Sequence, residues 1–157
     1  MSKETVRQQF FEQNLDLEIT EFGESTATVE LAAQAIGVEP AQIAKTMGFR
    51  LKDQPIVIVS TGDARIDNKK FKSTFSTKAK MIPFAEVESI TGHPAGGVCP
   101  FGLKDDVGIY LDESLKEFEL VYPAGGTPNT AVKITVDQLA HVTKGTWVDV
   151  CKNSEGK

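Results

Sequence analysis

Residues 56–60 read IVIVS, an unbroken run of β-branched apolar residues that ends in a serine. A run of this length without polar alternation is typical of a central strand that is covered on both faces. Residues 46–51, TMGFRL, also have strand character, and a turn at 52–55 joins the two segments. These segments predict the middle of a β-sheet.

Helical and strand patterns are interspersed on both sides of this pair. Apolar spacing, helix-forming composition and cap residues predict helices at 3–14, 26–36, 40–45, 68–75, 85–91 and 136–142. Alternating or continuous apolar residues predict further strands at 17–22, 107–111, 118–122, 130–135 and 147–150. The cap candidates are Ser25 or Thr26, Gly37, Asp67 and Gly92. This mixed order predicts a single α/β domain over residues 1–157, built on a mixed sheet.

Composition excludes several classes of protein. The 157 residues are 40% hydrophobic and 25% charged, which is too apolar for a disordered chain. No stretch approaches the roughly 20 apolar residues of a membrane span, and the start, MSKETVRQQF, lacks the apolar core of a signal peptide, so we expect a cytoplasmic protein. Cys99 and Cys151 form no Cys-x-x-Cys pair, which predicts two reduced thiols and neither a disulfide framework nor a zinc motif.

The charge is distributed unevenly. A net charge of −5 argues against a general nucleic-acid coat protein. Residues 45–80 nevertheless contain nine basic and three acidic side chains. Such a segment can attract a polyanion to one face of the protein, although it is also typical of an ordinary solvated surface.

Two loops are unusually rich in glycine and proline. Residues 92–102, GHPAGGVCPFG, contain four glycines and two prolines, and residues 124–129 read AGGTPN. Such loops serve either turn geometry alone or the close approach of backbone amides to a ligand. The second loop could be a plain hairpin turn, but the first is longer than a turn requires.

Four collinear segments carry a family resemblance. They are AAQAIGVEPAQIAKTMGF (32–49), TGHPAGGVCPFGL (91–103), GIYLDESL (108–115) and VYPAGGTPNTAVKITVDQLAHVT (121–143). Together they resemble the YbaK/EbsC family, the stand-alone relatives of the editing domain of bacterial prolyl-tRNA synthetases. The resemblance implies a compact α/β domain with a mixed, barrel-like sheet surrounded by short helices. It also implies a deacylase that hydrolyses the ester between a wrong amino acid and its tRNA.

The resemblance assigns catalytic positions to three residues. Lys45 matches the lysine of the family's AKT motif and is expected to hold the terminal phosphate of the tRNA. Judged by position alone, it could instead complement a helix dipole. Gly96 and Gly97 match the family's glycine pair, in a loop closed by Pro100, and their amides could form a nest for the ester carbonyl or the oxyanion. A tight surface turn is the alternative.

A second set of residues is expected to bind the substrate. Its members are Thr46, Thr61, Gly62, His93, Val98, Cys99, Pro100, Asp112, Asn129 and Thr130. Several have simpler roles available, since Asp112 could cap a turn and Asn129 and Thr130 could serve turn chemistry. A Cys99 nucleophile with His93 as its base is disfavoured, because many relatives carry serine and an aromatic residue at these positions.

We therefore predict a deacylase that acts in trans on mischarged tRNA, with tRNA for proline carrying cysteine, alanine, serine or a similar small residue as the expected substrate. Water, or a group of the substrate itself, would be the nucleophile, and no metal or organic cofactor is expected. The partners would be the tRNA acceptor end and, as a candidate, prolyl-tRNA synthetase. The alternatives are a non-catalytic module that binds an acceptor end, an amino acid or a nucleotide, and a cysteine hydrolase of small esters.

Overall fold

Helices and strands are interspersed along residues 2–152, the part of the chain that this computed structural model describes. The α-helices are α1 (Ser2–Glu12), α2 (Val29–Ile36), α3 (Asn68–Phe75), α4 (Val87–Thr91) and α5 (Val136–Thr143). The strands are β1 (Ile19–Glu21), β2 (Ile43–Arg50), β3 (Pro55–Thr61), β4 (Arg65–Ile66), β5 (Gly108–Asp112), β6 (Leu120–Pro123), β7 (Thr130–Val132), β8 (Ile134–Thr135), β9 (Thr146–Val148) and β10 (Cys151–Lys152). Short 3₁₀-helices lie at Pro40–Gln42, Phe84–Glu86 and Glu113–Glu117.

Six of these strands form one mixed sheet in the order β8-β6-β2-β3-β5-β9. β2 is antiparallel to β3, and β6 is antiparallel to β8, whereas the β2–β6, β3–β5 and β5–β9 pairs are parallel. The sheet curls into a half-barrel within a single compact α/β domain, which confirms the predicted fold class. Two small antiparallel pairs, β1–β7 and β4–β10, complete the strand pairing of the described residues.

The β2–β3 hairpin separates the two main parts of the core. Ile56 to Val59 are fully buried, as the sequence predicted for a central strand. Val59 and Ala44 pack on one side, against α1 and α5. Ile56 and Ile58 pack on the other side with Phe71 of α3. Burial on both faces explains why the strand has no polar alternation.

Two of the predicted elements and one predicted cap are wrong in detail. The helix predicted at 40–45 is a 3₁₀ turn of three residues, and β2 begins at Ile43. The strand predicted at 130–135 is two strands, because β7 pairs with β1 and β8 pairs with β6. The N-cap of α2 is Thr28, whose hydroxyl accepts a hydrogen bond from the Leu31 amide at 3.2 Å.

Other predicted caps are confirmed. The Asp67 carboxylate accepts hydrogen bonds from the amides of Lys69 and Lys70 at the start of α3. Gly37 and Gly92 end α2 and α4 with φ of 87° and 92°, in the left-handed region that favours glycine. None of the helices in residues 2–152 is both long and apolar enough to cross a bilayer.

Candidate active site

A cavity of about 250 Å³ opens beside β2. Four parts of the chain line it: β2 itself, the residues at the start of α2, the segment from Met81 to Val98, and the region where β6 and β7 flank the second glycine-rich loop. Lys45, Thr46, Gly96, Val98 and Thr130 are the predicted site residues that line this cavity. The structure thus brings together residues from three of the motifs that were separate in sequence.

The cavity lies where one edge of β2 has no partner strand. β2 pairs with β6 only through Ile43 and Ala44. Further along the same edge, the Gly48 carbonyl accepts from the Ile82 amide at 3.1 Å, and the Arg50 amide donates to the Lys80 carbonyl at 2.8 Å. Because backbone groups alternate along a strand, the Thr46 N–H and C=O point to this edge in the gap between the two contacts.

Thr46 lines the cavity and also carries a side-chain hydroxyl. Its hydroxyl is buried and has no hydrogen-bond partner among the residues described. Buried polar atoms are nearly always paired, so an unpaired hydroxyl on a cavity wall is typical of a ligand contact. Thr46 therefore offers a donor and acceptor from its backbone and a hydroxyl from its side chain.

Lys45 is the third residue of β2, not the end of a helix as its position in the sequence suggested. It lies opposite Ser60 of β3, and its half-buried ammonium donates a hydrogen bond to the Ala64 carbonyl. Burial lowers the pKa of Lys45, while Cys151 and Asp63 favour its charged form. Since it is part of a strand, a role at a helix terminus does not apply to Lys45.

The first glycine-rich loop uses its glycines for close packing. Gly96 has a φ of 86°, and a Cβ there would be 3.0 Å from that of Ala27. A Cβ at Gly97 would be 2.6–2.8 Å from backbone atoms of Thr127, in the second loop. The Gly97 amide already donates to the Pro94 carbonyl at 2.9 Å. Gly97 therefore lets the two loops touch, and its amide is engaged within the loop.

The second loop is organised by Thr130. The Thr130 hydroxyl accepts hydrogen bonds from the amides of Gly125 and Thr127 at 3.1 and 3.2 Å and donates to the Thr127 carbonyl at 3.1 Å. Asn129 is exposed, and its side chain donates to the Phe22 carbonyl at 3.2 Å. Turn chemistry, the alternative considered for these residues, accounts for the Thr130 contacts, whereas the Asn129 side chain links the loop to the residue that follows β1.

His93 and Cys99 lie beneath the first loop, in the protein core, rather than on the cavity wall. The His93 Nε2–H donates to the Phe101 carbonyl at 2.6 Å, with the Cys99 sulfur 3.6 Å from the same nitrogen. His93 Nδ1 is unpaired within the described chain. Burial lowers the pKa of His93 and raises that of Cys99 to about 12. A buried, protonated thiol is a poor nucleophile, so this geometry argues against cysteine catalysis.

The remaining predicted residues also lie away from the cavity wall. Pro100 is buried beside Cys99. The Thr61 amide donates to the Ser114 hydroxyl at 3.2 Å, and a Cβ on Gly62 would collide with the Pro40 carbonyl oxygen. The carboxylate of Asp112 accepts from the amides of Ser114 and Val150, both at 2.9 Å. These contacts fix the backbone around Thr61, Gly62 and Asp112, and they account for the glycine at 62 and the carboxylate at 112.

Sequence reasoning missed a complete wall of the cavity. Met81, Ile82 and Val87 line it, as does Tyr122 from β6. Tyr122 was within a quoted family segment and could have been chosen. The signal for Met81 and Ile82 was weaker, because their contact with β2 joins parts of the chain more than 30 residues apart. Within residues 2–152, no three His, Cys, Asp or Glu side chains are grouped to hold a metal ion.

A family model for the aminoacyl-tRNA editing domain matches residues 23–142. The chain belongs to this family. The chain is 49% identical to "Uncharacterized protein YwhH" of Bacillus subtilis, over 99% of its own length and all of that protein. The "Putative Cys-tRNA(Pro)/Cys-tRNA(Cys) deacylase EbsC" of Enterococcus faecalis is 25% identical, over 82% of the chain and 80% of EbsC.

Solved structures agree with the sequence matches. The editing domain superimposes with a TM-score of 0.88 on a structure described as "a putative trans-editing enzyme for prolyl tRNA synthetase". The two chains are 29% identical, and the match covers 97% of this chain and 98% of the other. The resemblance to the YbaK/EbsC family is confirmed, and the homologues support a role in aminoacyl-tRNA editing.

Proposed function

We propose that this editing domain hydrolyses the ester bond of a mischarged tRNA, with tRNA for proline carrying a small, uncharged amino acid as its substrate. The observation that carries this proposal is the cavity beside the open edge of β2. Lys45 supplies a charged side chain to its wall, and Thr46 supplies a buried hydroxyl without a partner. The family match supports the reaction type, and the names of two homologues support prolyl-tRNA as the context.

Lys45 is proposed to hold a phosphate of the terminal nucleotide. Its ammonium now donates to a backbone carbonyl, and a phosphate offers it a stronger, charge-assisted partner. Partial burial keeps water away and so strengthens such a contact. The nearby Asp63 and Glu30 favour the charged form of Lys45, which the contact requires.

The polar groups of Thr46 are proposed to position the ester carbonyl and to stabilise the oxyanion as it forms. Donors that are already oriented where charge develops lower the barrier most. The amide of Gly96 is a further candidate from the facing wall, whereas the Gly97 amide is engaged with Pro94. Gly97 is therefore proposed to support the loop rather than to donate directly.

The nucleophile is proposed to be water or a group of the substrate itself. The water oxygen attacks the carbonyl carbon, the bond between that carbon and the ribose oxygen breaks, and the proton lost by the water passes to the ribose oxygen, which becomes a hydroxyl. If a group of the substrate attacks first, water hydrolyses the resulting acyl product in a second step. An aminoacyl ester is already activated, so positioning and oxyanion stabilisation can supply much of the acceleration. Cys99 takes no part, because it is buried away from the cavity with a raised pKa.

The cavity wall favours a small, uncharged side chain. Apart from Lys45, Tyr122 and several threonines, the wall consists of glycine, alanine, proline, valine, isoleucine and methionine. A positively charged amino-acid side chain would lose its hydration there without gaining an opposite charge, at a cost of several kcal/mol, and an acidic one would compete with the phosphate for Lys45. Alanine, serine and cysteine have side chains that fit these limits.

The test is the release of free amino acid from a panel of charged tRNAs. Alanine, serine, cysteine and proline esters of tRNA for proline would each be incubated with the protein, with the same esters on an unrelated tRNA as controls. We expect faster release of one or more small non-proline residues, and binding of the acceptor end with no release would instead favour the non-catalytic module. Recruitment by prolyl-tRNA synthetase is proposed as well, and co-purification of the two proteins would test it.

A further inference from the structure

Two large apolar side chains, Met81 and Phe84, are exposed in the segment that forms one wall of the cavity. Met81 lines the cavity, and Phe84 lies in the chain between Ile82 and Val87, which also line it. The exposed fraction is 83% for Phe84 and 64% for Met81, whereas Ile82 between them is only 5% exposed. Most apolar side chains of this size are buried, and neighbouring exposed ones are typical of an interaction surface. We refer to Met81 and Phe84 together as the rim platform.

The rim platform is held firmly against the site. The backbone of residues 80–82 forms two hydrogen bonds with the end of β2, from Ile82 N to Gly48 O and from Arg50 N to Lys80 O. Gly48 makes this approach possible, since a Cβ there would be 3.0 Å from Ile82 Cδ1. Phe84 follows in a 3₁₀ turn, between Ile82 and Val87, which both line the cavity. The platform is therefore adjacent to the place where the aminoacyl group would enter.

The charges around the rim platform suit a polyanion. Lys78 and Lys80 are exposed immediately before Met81. The Arg50 guanidinium pairs with the Glu86 carboxylate, which leaves Glu88 as the exposed acidic side chain of this stretch. In a chain with a net charge of −5, this local balance favours a nucleic acid over an acidic protein surface or a purely apolar partner.

We propose that the rim platform stacks an unpaired base at the 3′ end of the RNA whose aminoacyl terminus occupies the cavity. This inference rests on the proposed function, because it names the part of the same substrate that lies outside the pocket. An aromatic ring and a polarisable thioether bind the face of any base, so the contact holds a single-stranded end without reading its sequence. The flanking lysines contact the adjacent phosphates.

The experiment measures binding of a single-stranded RNA that ends in CCA and carries a 5′ fluorophore, by fluorescence anisotropy. Phe84→Ala should weaken binding roughly 5- to 100-fold, the range found for the loss of one stacked base, while Phe84→Trp should keep most of the affinity. The matched control is Phe11→Ala, because Phe11 is also exposed, to 80%, but lies on α1, which contributes no residue to the lining of this cavity. Equal affinities for Phe84→Ala and Phe11→Ala would overturn the proposal.

A second series identifies the stacked base. Each of the last three nucleotides is replaced in turn by an abasic residue, and wild type and Phe84→Ala are compared on each RNA. At the position that stacks on Phe84, the abasic RNA should bind both proteins equally weakly. If Phe84→Ala weakens binding of every abasic RNA by the same factor, stacking is excluded.

The same variants separate this proposal from the proposed function. If wild type releases amino acid from mischarged tRNA but Phe84→Ala behaves as wild type in both assays, the rim platform is wrong and the deacylase stands. If Phe84-dependent RNA binding occurs and no ester on the panel is hydrolysed, the platform stands and the deacylase is wrong. Circular dichroism of each variant checks that the fold is retained.

Discussion

The two sides of the first glycine-rich loop differ in what they contact. Gly96 and Val98 face the cavity, whereas Gly97, Cys99 and Phe101 are buried beneath them. Gly96 lies in a turn with a φ of 86°, and beyond this turn Val98 lines the cavity while Cys99 packs in the core. Adjacent residues of one sequence motif can therefore have unrelated roles, one in binding and the next in packing.

Contacts with α1 explain which residues face inward. The Phe101 ring packs edge-on against Phe10, with the ring centroids 5.0 Å apart. The Gly102 amide donates to the Gln9 side-chain carbonyl at 2.6 Å. These two contacts hold the end of the loop against the N-terminal helix and so fix which side of it faces the cavity. The loop's buried side is thus expected to matter for stability and its open side, together with β2, for activity.

The largest expected effect is on turnover and comes from Lys45 of β2, on the cavity side. Lys45→Ala should lower kcat/KM for deacylation about ten- to a hundredfold, because it removes a charge-assisted contact worth about 1.5–3 kcal/mol. Its melting temperature should scarcely fall, since burial lowers the pKa of Lys45 and the folded state gains little from this charge. Lys45→Arg should recover part of the RNA binding but little of the turnover.

The matched control for Lys45→Ala is Lys52→Ala. Lys52 belongs to the same basic segment but is exposed in the turn between β2 and β3. We expect wild-type turnover from it. If Lys45→Ala had full activity on every ester of the panel, Lys45 would not belong to the site. The cavity side of the loop and β2 would then not be distinguished by their effect on activity.

Gly97→Ala tests the packing between the two glycine-rich loops. A methyl group there would lie 2.6–2.8 Å from the Thr127 backbone, so overpacking should cost about 1–3 kcal/mol of unfolding free energy. At about 2–4 °C per kcal/mol, the melting temperature should fall by roughly 2–12 °C. Gly23→Ala is the control, because no atom lies within 4 Å of the added methyl. Equal melting temperatures for the two variants would contradict the loop contact.

Cys99 tests whether the buried side takes part in chemistry. Cys99→Ala should cost about 1 kcal/mol of stability through lost packing, and Cys99→Ser should retain deacylation with the order of preferred esters unchanged. From sequence, Cys99 was expected at the pocket, where serine would shift that order by up to tens of fold. Loss of turnover by Cys99→Ser, with its fold intact, would revive the cysteine nucleophile.

The smallest effect should come from the protonation of His93. Its folded-state pKa lies below the usual 6.5, so the unfolded chain binds the proton more tightly and stability falls as the pH drops below about 6.5. Between about pH 7.5 and about pH 5, the melting temperature of wild type should decline more than that of His93→Gln. His141→Gln, which alters an exposed histidine on α5, should decline as wild type does. An NMR titration that finds His93 charged at neutral pH would contradict this prediction.

Local signals were sufficient for much of the fold. The Asp67 cap, the glycines that end α2 and α4 and the buried strand at 56–60 were all predicted correctly. Each depends on interactions within one element or its immediate neighbours. The predicted strand at 130–135 failed because its two halves pair with different strands. The first half pairs with β1, near the start of the chain, and the second with β6, which directly precedes β7, and residues 130–135 alone do not encode this choice.

The sequence by itself determined the family, the fold class and the candidate residues, because family motifs and apolar periodicity are properties of residues close together in the chain. Only the tertiary structure decided which candidates reach the cavity. Thr46 is a main residue of the candidate site because the strand pairing leaves its edge of β2 open. Cys99 became a core residue because α1, about ninety positions earlier, packs beneath its loop. Which side chain faces water depends on surfaces that meet only after folding, since burial is a property of the assembled core and not of one segment.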